Sequence, residues 1–520
     1  VDQMNGILSK LSSNKITLKN NEGKYPTFKF NHTEIIDVLS TLPKEKGINK
    51  EVLCNEHFTE FLNLKTYEGI NTFARFITDF FNYLLDNPDQ IPSSWYNATI
   101  ILLEKKSNPS IADYRPITLL SHMSKIMEKC IFNIFQNKHL EDRFHPSQAG
   151  FKSRHGCPEN LMYVYLYHEI LMERKETRYL ILIDLKKAYD CVPWNILLLR
   201  LIDMYGDIIH IKLLRYIAYW IYGHTRKISI NNSIVDATDI KVKRGVPQGS
   251  LLSPFLFNCF INDLLIQLDK TKNKKLPYKY YTKIFAYADD VALILDKDDI
   301  QSHLNVLHDW CEKNGMQVNT KKTHIFQVGY PKKIEDDLHG YNFTYGDDII
   351  KTKTDVMYLG VQYRPPNKIN NSYVYKPYYT NIKFKKYINI IKDYFNVKLF
   401  QFNSINGLRV KMGLRFIMAK TYPGLTWGME CSNYNNKDCV EIKNAITPQL
   451  KNVLGTFNTV RNDLAWNFSA MTDPEVYVAS KRLRFIIDKV TNKTTHTNLM
   501  NFTKELLLTK DNNVSEMSNK

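Results

Sequence analysis

Residues 285–294, FAYADDVALI, set two adjacent aspartates inside a run that is otherwise almost wholly apolar. Ile284 to Ala288 lead in, and Val291 to Leu295 lead out. Short apolar runs of this kind predict two buried strands joined by a tight turn, with Asp289 and Asp290 at its tip. Neighbouring carboxylates repel each other, so both ionise cheaply only when a cation or strong donors sit between them. The stretch therefore demands a sheet to bury its flanks and a positive partner for its tip.

The rest of the composition narrows what that partner serves. With 520 residues, at roughly 100–200 per domain, the chain has room for two to four domains or lobes. A formal net charge of +17 suits a polyanion, either nucleic acid or an anionic membrane. No apolar run is long enough to span a bilayer, which favours nucleic acid. The eight cysteines form no CxxC pair, so no zinc knuckle is expected and reduced thiols are. No charged-then-apolar leader follows Val1, so an intracellular protein of nucleus or cytoplasm is expected, not a secreted one, and the Val start suggests a true N-terminus that lies upstream or was trimmed.

Along the chain, NTFARFITDFFNYLLDN (71–87) predicts a helix ended by Pro88, with Phe73, Phe76, Ile77, Phe80, Phe81 and Leu84 on one face. NATIILLEKK (97–106) reads as a strand running into basic residues. RYLILIDLKKAYD (178–190) begins as a buried strand and turns polar and helix-prone. RGVPQGSLLSPFLFNCFINDLLIQL (244–268) predicts a glycine-punctuated loop and a helix, with Ser253 as N-cap and Pro254 at its first position. Between 361 and 420 there are twelve Lys or Arg against one acid, Asp393, interleaved with aromatics such as Tyr373, Tyr375, Phe384 and Tyr387. That mixture suits a surface tracking a phosphate backbone, though a helical domain with an ordinary solvated basic face has the same composition.

Asp184, at the end of LILID, supplies a third carboxylate. Alone it reads as a cap on the following helix. Together with Asp289 and Asp290 it reads differently, because strand ends far apart in sequence converge when their strands are neighbours in a sheet. Mg²⁺ takes a few carboxylates plus water and phosphate oxygens, and two such ions can hold an attacking hydroxyl and a leaving pyrophosphate in line.

The order of motifs over roughly residues 28–362 resembles that of reverse transcriptases of the non-LTR retrotransposon (LINE-like) type. EKKSNPSIADYRPITLLSHMSKIMEK resembles their fingers segment and QAGFKSRHGC the one that follows. LIDLKKAYD, GVPQGSLLSPFLFNCFINDL and FAYADD resemble the three palm motifs, WCEKNGMQVNTKKT the fourth, and YLGV (358–361) the primer-grip hairpin. The resemblance implies an α+β fold, a right-hand polymerase with an antiparallel palm sheet, helical fingers and a helical thumb. It divides the chain into an N-terminal extension and start of the fingers (1–90), fingers and palm (91–362), and a thumb-like basic helical region with a tail (363–520). It implies an RNA-directed DNA polymerase adding dNTPs to a primer 3′-OH in retrotransposition, with an RNA template and a DNA primer or target DNA as partners. Two Mg²⁺ ions are the implied cofactors, with Mn²⁺ as a substitute.

By the same resemblance Asp184, Asp289 and Asp290 are the metal carboxylates, and Leu185 lends its backbone carbonyl. Tyr189 falls where a bulky aromatic meets the sugar 2′ position; without the motif it would read as a core ring. Lys105 and Arg115 match the residues that hold the triphosphate, a role that suits the Arg fork and the Lys point charge. Gly245 and Gly249 would let the backbone approach the nascent base pair, and Gln248 would touch template or nucleotide. Lys322 matches the lysine that protonates pyrophosphate, with Lys321 next to it. Tyr358, Leu359 and Gly360 would meet the primer, and Lys383, Lys385 and Lys386 the duplex. Asp190 is expected to be structural, and Asp296, Asp298 and Asp299 solvated loop charges.

The sequence departs from the family pattern in places. LPKEKGINKEVL lacks the Pro-Gly and Asp-Gly of the N-terminal template loop. No nuclease is recognised in the first 90 residues, TDPEVY (472–477) is too thin a pattern for one, and residues 430–520 carry no motif. Two rival readings are a polymerase-inactive or domesticated nucleic-acid-binding protein and an RNA-dependent RNA polymerase. The complete carboxylate set counts against the first and Tyr189 against the second.

Overall fold

The nine strands that matter for the site are, in chain order, β1 (Asn97–Glu104), β2 (Tyr114–Leu119), β3 (Thr177–Ile183), β4 (Thr225–Ile230), β5 (Ser233–Ile234), β6 (Ile240–Lys241), β7 (Ile284–Tyr287), β8 (Asp290–Leu295) and β9 (His324–Gly329). They come from a computed structural model of the chain. It describes residues 28–43, 54–63, 71–104, 114–230, 233–234, 240–271, 284–333, 337–363, 417–431, 436–454 and 459–491, with short pieces at Gly6, 367–369, 372–374, 410–411 and 413–415. Lys105, Lys383, Lys385, Lys386 and most of the basic 364–420 segment lie outside the described residues.

The described residues form two units, each discontinuous in sequence: one holds 1–151, 185–270 and 305–319, the other 152–184, 271–304 and 320–520. The second unit contains the palm sheet. Its strands run β9-β3-β8-β7, all antiparallel, and the two-residue strand Thr352–Lys353 adds to β9 in parallel. The antiparallel expectation therefore holds for all but that edge. β3 and β8 are apolar runs closed by charged or polar residues, and both are buried on both faces. The helix Cys157–Glu173 covers one face. Its Leu161, Val164, Ile170 and Leu171 pack with Leu180, Phe285, Ala292, Ile294, Phe326 and Val328. Val356, Tyr358, Val361 and Tyr363, from the hairpin 356–363, complete the same core.

Also in this unit, the helices Asn436–Leu454, Asn462–Ser469 and Pro474–Thr491 bury Ile442, Ile446, Leu450, Trp466 and Val478 against Ile417, Tyr422 and Met429. Among the described residues, the stretch without motifs is thus helical from 436 to 454, 462 to 469 and 474 to 491, and it shares a core with residues 417–429.

The first unit carries the sheet β2-β1-β4-β5, with β6 also on β4; β1 is antiparallel to β2 and parallel to β4. The predicted 71–87 helix spans Thr72–Asp86, capped by Asn71, and stops before Pro88. Its buried stripe is Ala74, Ile77, Thr78, Phe81, Leu84 and Leu85. Phe76 is 63% exposed, and Phe73 and Phe80 are only half-buried, so the expected face is rotated. A stripe at i, i+3, i+4 and i+7 starting from Ala74 leaves Phe76 on its outer flank, where it stacks on Phe80 with ring centroids 6.3 Å apart. The 244–268 loop and helix also form, but the helix begins at Ser253 rather than after it. The Ser250 hydroxyl, not that of Ser253, accepts the N–H groups of Leu252 and Ser253.

One buried histidine sets an acid limit on the palm. His168, almost fully buried on the covering helix, accepts the Gly329 N–H at Nδ1 (3.0 Å). Burial pushes it down from 6.5 to about 3. Between those values the unfolded chain binds the proton and the folded one does not, so stability falls as pH falls. Relative to His168→Gln, the wild type should lose about 1.4 kcal/mol per pH unit as pH drops from 6 to 4. Urea unfolding of both proteins across this range measures it, and parallel stability curves would remove His168 from the account.

Candidate active site

The palm register brings the three aspartates together. Ile183, the last residue of β3, pairs with Val291, and Tyr287 pairs with Asp290 across the β7–β8 turn. Asp184 thus follows Ile183 at the end of the sheet where Asp290 begins β8. The turn residues are Ala288 and Asp289, so Asp290 opens the strand instead of sharing the tip as expected from sequence. Ala288 has φ +55°, a left-handed conformation that costs a non-glycine residue of order 1–3 kcal/mol. Six buried side chains on the paired strands, Ile181, Ile183, Val291, Leu293, Ile294 and Leu295, contribute roughly 1.5–3 kcal/mol each, which outweighs that strain.

Buried polar side chains hold the hairpin from behind. Asn160 Nδ2 donates to the Ala286 carbonyl (3.0 Å) and the Tyr358 hydroxyl to that of Phe285 (3.2 Å). Asp184 N–H donates to the buried Thr323 hydroxyl (3.2 Å). The Cys157 thiol and the Tyr287 hydroxyl are also hydrogen-bonded, and burial raises both groups.

The carboxylates themselves are in tension. Desolvation, then the charges of Asp289 and Asp184, push Asp290 up to about 6. Among the described residues no three His, Cys, Asp or Glu side chains already enclose a cation position. Asp184, Asp289 and Asp290 offer hard oxygen donors, the chemistry that Mg²⁺ takes alongside waters and substrate phosphate oxygens. Lys321 and Lys322, just before Thr323, are both exposed, and position alone does not separate them.

Other expected residues fall in the first unit, where the 245–253 loop organises them. The half-buried Tyr189 ring stacks on Phe257, centroids 4.6 Å apart and planes 10° apart, and its carbonyl accepts the Val246 N–H (2.8 Å). Gly245 (φ +92°) donates to the Val192 carbonyl, and a Cβ there would lie 2.7 Å from the Asp190 carbonyl oxygen. A Cβ at Gly249 (φ +127°) would lie 2.5 Å from the Thr118 carbonyl oxygen. The close approach that both glycines permit is thus to the chain's own backbone. Gln248 accepts the Thr118 N–H at its carbonyl (2.7 Å), and its Nε2 donates to Asp190 Oδ2 (3.3 Å). Asp190, expected to be structural, also faces Arg226 at 3.9 Å. Arg115 is exposed on β2, three residues before Thr118. Leu185 is buried and pairs with Val318 in an isolated bridge.

In the second unit, the Tyr358 ring is buried beneath the carboxylate hairpin and the half-buried Leu359 packs against the same core, so within 358–360 only Gly360 is exposed. Trp427 Nε1 donates to the Leu359 carbonyl (2.8 Å). Asp299 is 3% exposed and Asp296 faces Arg178 at 3.3 Å, which corrects their reading as solvated charges. Both sit at the start of the helix Lys297–Asn314, where Asp296 accepts the Asp298 N–H. Sequence reasoning also missed Asn160, Thr323, Phe257 and Trp427. Only Thr323 had a signal, its place directly after the two lysines.

A reverse transcriptase (RNA-dependent DNA polymerase) family model matches residues 103–363, just over half of the 520-residue chain. The chain belongs to the reverse transcriptase family. It is 27% identical over 300 residues to the RNA-directed DNA polymerase from mobile element jockey of Drosophila melanogaster, a match covering 56% of this chain and 31% of that protein. It is 28% identical over 251 residues to the Pol polyprotein of type-1 retrotransposable element R2 of Popillia japonica, covering 46% and 33%. The resemblance to non-LTR retrotransposon enzymes is borne out, over about a third of those relatives' length. A telomerase structure from Candida albicans, in complex with a fragment of telomeric RNA, aligns over 82% of this chain and 68% of its own. At 12% identity and a TM-score of 0.36, that superposition is too loose to add to the assignment. No helix among the described residues is long and apolar enough to cross a membrane.

Thr323 is the testable missed residue. Thr323→Val orphans the Asp184 N–H and should cost about 1–3 kcal/mol of stability, whereas Thr323→Ser should cost less than half as much. Urea unfolding of the two variants decides, and equal losses would mean the methyl packing matters rather than the hydroxyl.

Proposed function

We propose that this chain is an RNA-directed DNA polymerase that adds dNTPs to a primer 3′-OH on an RNA template, in the service of retrotransposition. The observation that carries the reading is the register that sets Asp184 beside Asp289 and Asp290, in a chain of the reverse transcriptase family. The family generally uses divalent metal ions. Asp184, Asp289 and Asp290 are the residues to hold two of them, Mg²⁺ or Mn²⁺, with the Leu185 carbonyl alongside. When bound, such ions neutralise phosphate charge and favour the nucleophilic form of the primer hydroxyl.

The chain's own residues do the positioning. Lys105 and Arg115 hold the triphosphate, Gln248 bears on the template or the incoming nucleotide, and Lys322 gives a proton to the departing pyrophosphate. Leu359 and Gly360 guide the primer, and Lys383, Lys385 and Lys386 bind duplex phosphates. Tyr189 stands under the sugar. The stack on Phe257 keeps its ring from moving aside, so a 2′-hydroxyl meets the ring while deoxyribose passes over it.

Primer extension on poly(rA)/oligo(dT) with Mg²⁺ tests the activity. Asp184→Asn and Asp289→Asn should each abolish extension while template affinity changes little, because basic surface and not the carboxylates binds nucleic acid. Extension by either variant within about tenfold of wild type would sink the assignment.

Sugar choice is tested separately. Tyr189→Val should keep dTTP incorporation and raise UTP incorporation by about tenfold or more, on the order of 1.4 kcal/mol of lost discrimination. Single-nucleotide extension with the two triphosphates on the same primed template gives the ratio. An unchanged ratio would return Tyr189 to the status of a core aromatic.

A further inference from the structure

Glu128 is an acid outside the palm carboxylate cluster. It sits on the helix His122–Asn137 between Met127 and Lys129 and is fully buried. From sequence it reads as one more charge on an amphipathic helix, and an isolated buried carboxylate is costly unless its oxygens are hydrogen-bonded. Here they are. Oε2 accepts the Ser250 hydroxyl at 2.7 Å and the Leu251 N–H at 2.8 Å. Oε1 accepts the Ser124 hydroxyl at 3.4 Å, and Ser124 in turn accepts Trp220 Nε1 at 3.3 Å.

All the loop contacts of this carboxylate fall on the segment that carries Gln248. Ser250, fixed by Glu128, accepts the Leu252 and Ser253 N–H groups and so starts the following helix. Two residues upstream, the Gln248 carbonyl takes the Thr118 N–H of β2, the strand that carries Arg115. Gly249 leaves no room for a side chain against Thr118. The 248–251 turn is therefore clamped from two sides, by the β2 backbone and by one buried acid. Leu251 itself is 42% exposed, so its side chain supplies little anchoring, and the hold comes from its N–H.

We propose that Glu128 is a positioning residue for the incoming nucleotide, acting through the 248–251 turn to fix Gln248 relative to the strand of Arg115. The proposal rests on the polymerase reading above. A carboxylate suits the task because two oxygens take donors from the loop and from its own helix at once, which an alanine cannot do and a glutamine does only in part. Burial pushes the acid up to about 7, in keeping with a dry, enclosed site; Lys125 and the loop donors pull it the other way.

The test is steady-state single-nucleotide incorporation of dTTP on poly(rA)/oligo(dT) by wild type, Glu128→Gln, Gln248→Ala and the double variant. Glu128→Gln should raise KM for dTTP about fivefold or more, with kcat within about threefold, and the double variant should be no worse than Gln248→Ala. Amide exchange of residues 245–253 should rise about tenfold in Glu128→Gln. An unchanged KM, with kcat falling in step with the folded fraction, would overturn the proposal and leave the polymerase reading standing. So would KM effects that multiply in the double variant. Should Glu128→Gln fail to fold, Ser250→Ala removes one loop donor, and its KM for dTTP should rise in the same direction; a folded Ser250→Ala with wild-type KM also overturns the proposal. Wild-type protein that extends no primer overturns the polymerase reading and, with it, this inference.

Discussion

The pairing of β3 with β8 is the constraint on which the site depends. Both strands are hydrocarbon runs that end in carboxylates, and both are buried on two faces. A slip of one residue would draw Asp184 or Asp290 into the apolar interior, where an unpaired charge costs far more than a mispaired Leu or Ile. The polar ends thus pin the register, and the register makes the carboxylate cluster. The same hydrophobic core that stabilises the sheet holds Ala288 in a conformation it would not adopt alone.

The cost of that arrangement is electrostatic. Three carboxylates meet at one end of a sheet, and the one that opens β8 is shifted toward neutrality by desolvation and by its neighbours. Neutral donors hold the backbone around the cluster, from Asn160, Tyr358 and Thr323, while none of them cancels its charge. Three backbone groups beside the carboxylates, the Asp184 N–H and the carbonyls of Phe285 and Ala286, are each hydrogen-bonded to one of these side chains.

The first unit solves a different problem, the stiffening of a loop. Glycines 245 and 249 press its backbone onto Asp190 and Thr118, Gln248 bonds both, and Glu128 holds the turn from the other side. These hydrogen bonds, 2.7 to 3.3 Å long, hold both the backbone and the side chain of Gln248 in place.

Much of this was legible in the sequence. Period and composition indicated the buried strands at the start of 178–190 and on either side of Asp289 and Asp290, the helix closed by Pro88, and the loop-then-helix at 244–268, because each depends on neighbours along the chain. The meeting of Asp184 with Asp289 and Asp290 was readable too, since strand-end acids on adjacent strands have few other places to go. Tertiary structure decided the rest. Phe76 faces out and Ala74 in because the stripe is set by what packs on the helix, not by which residues are largest. Tyr358, expected to meet the primer, turns under the carboxylate hairpin, because its hydrogen-bond partner Phe285 comes from a segment distant in sequence. Glu128 and Thr323 make hydrogen bonds to partners more than a hundred residues away, Glu128 to Ser250 and Leu251 and Thr323 to Asp184. A bond of that kind leaves no periodic trace, so only the folded chain reveals which acid is a clamp and which is a solvated charge.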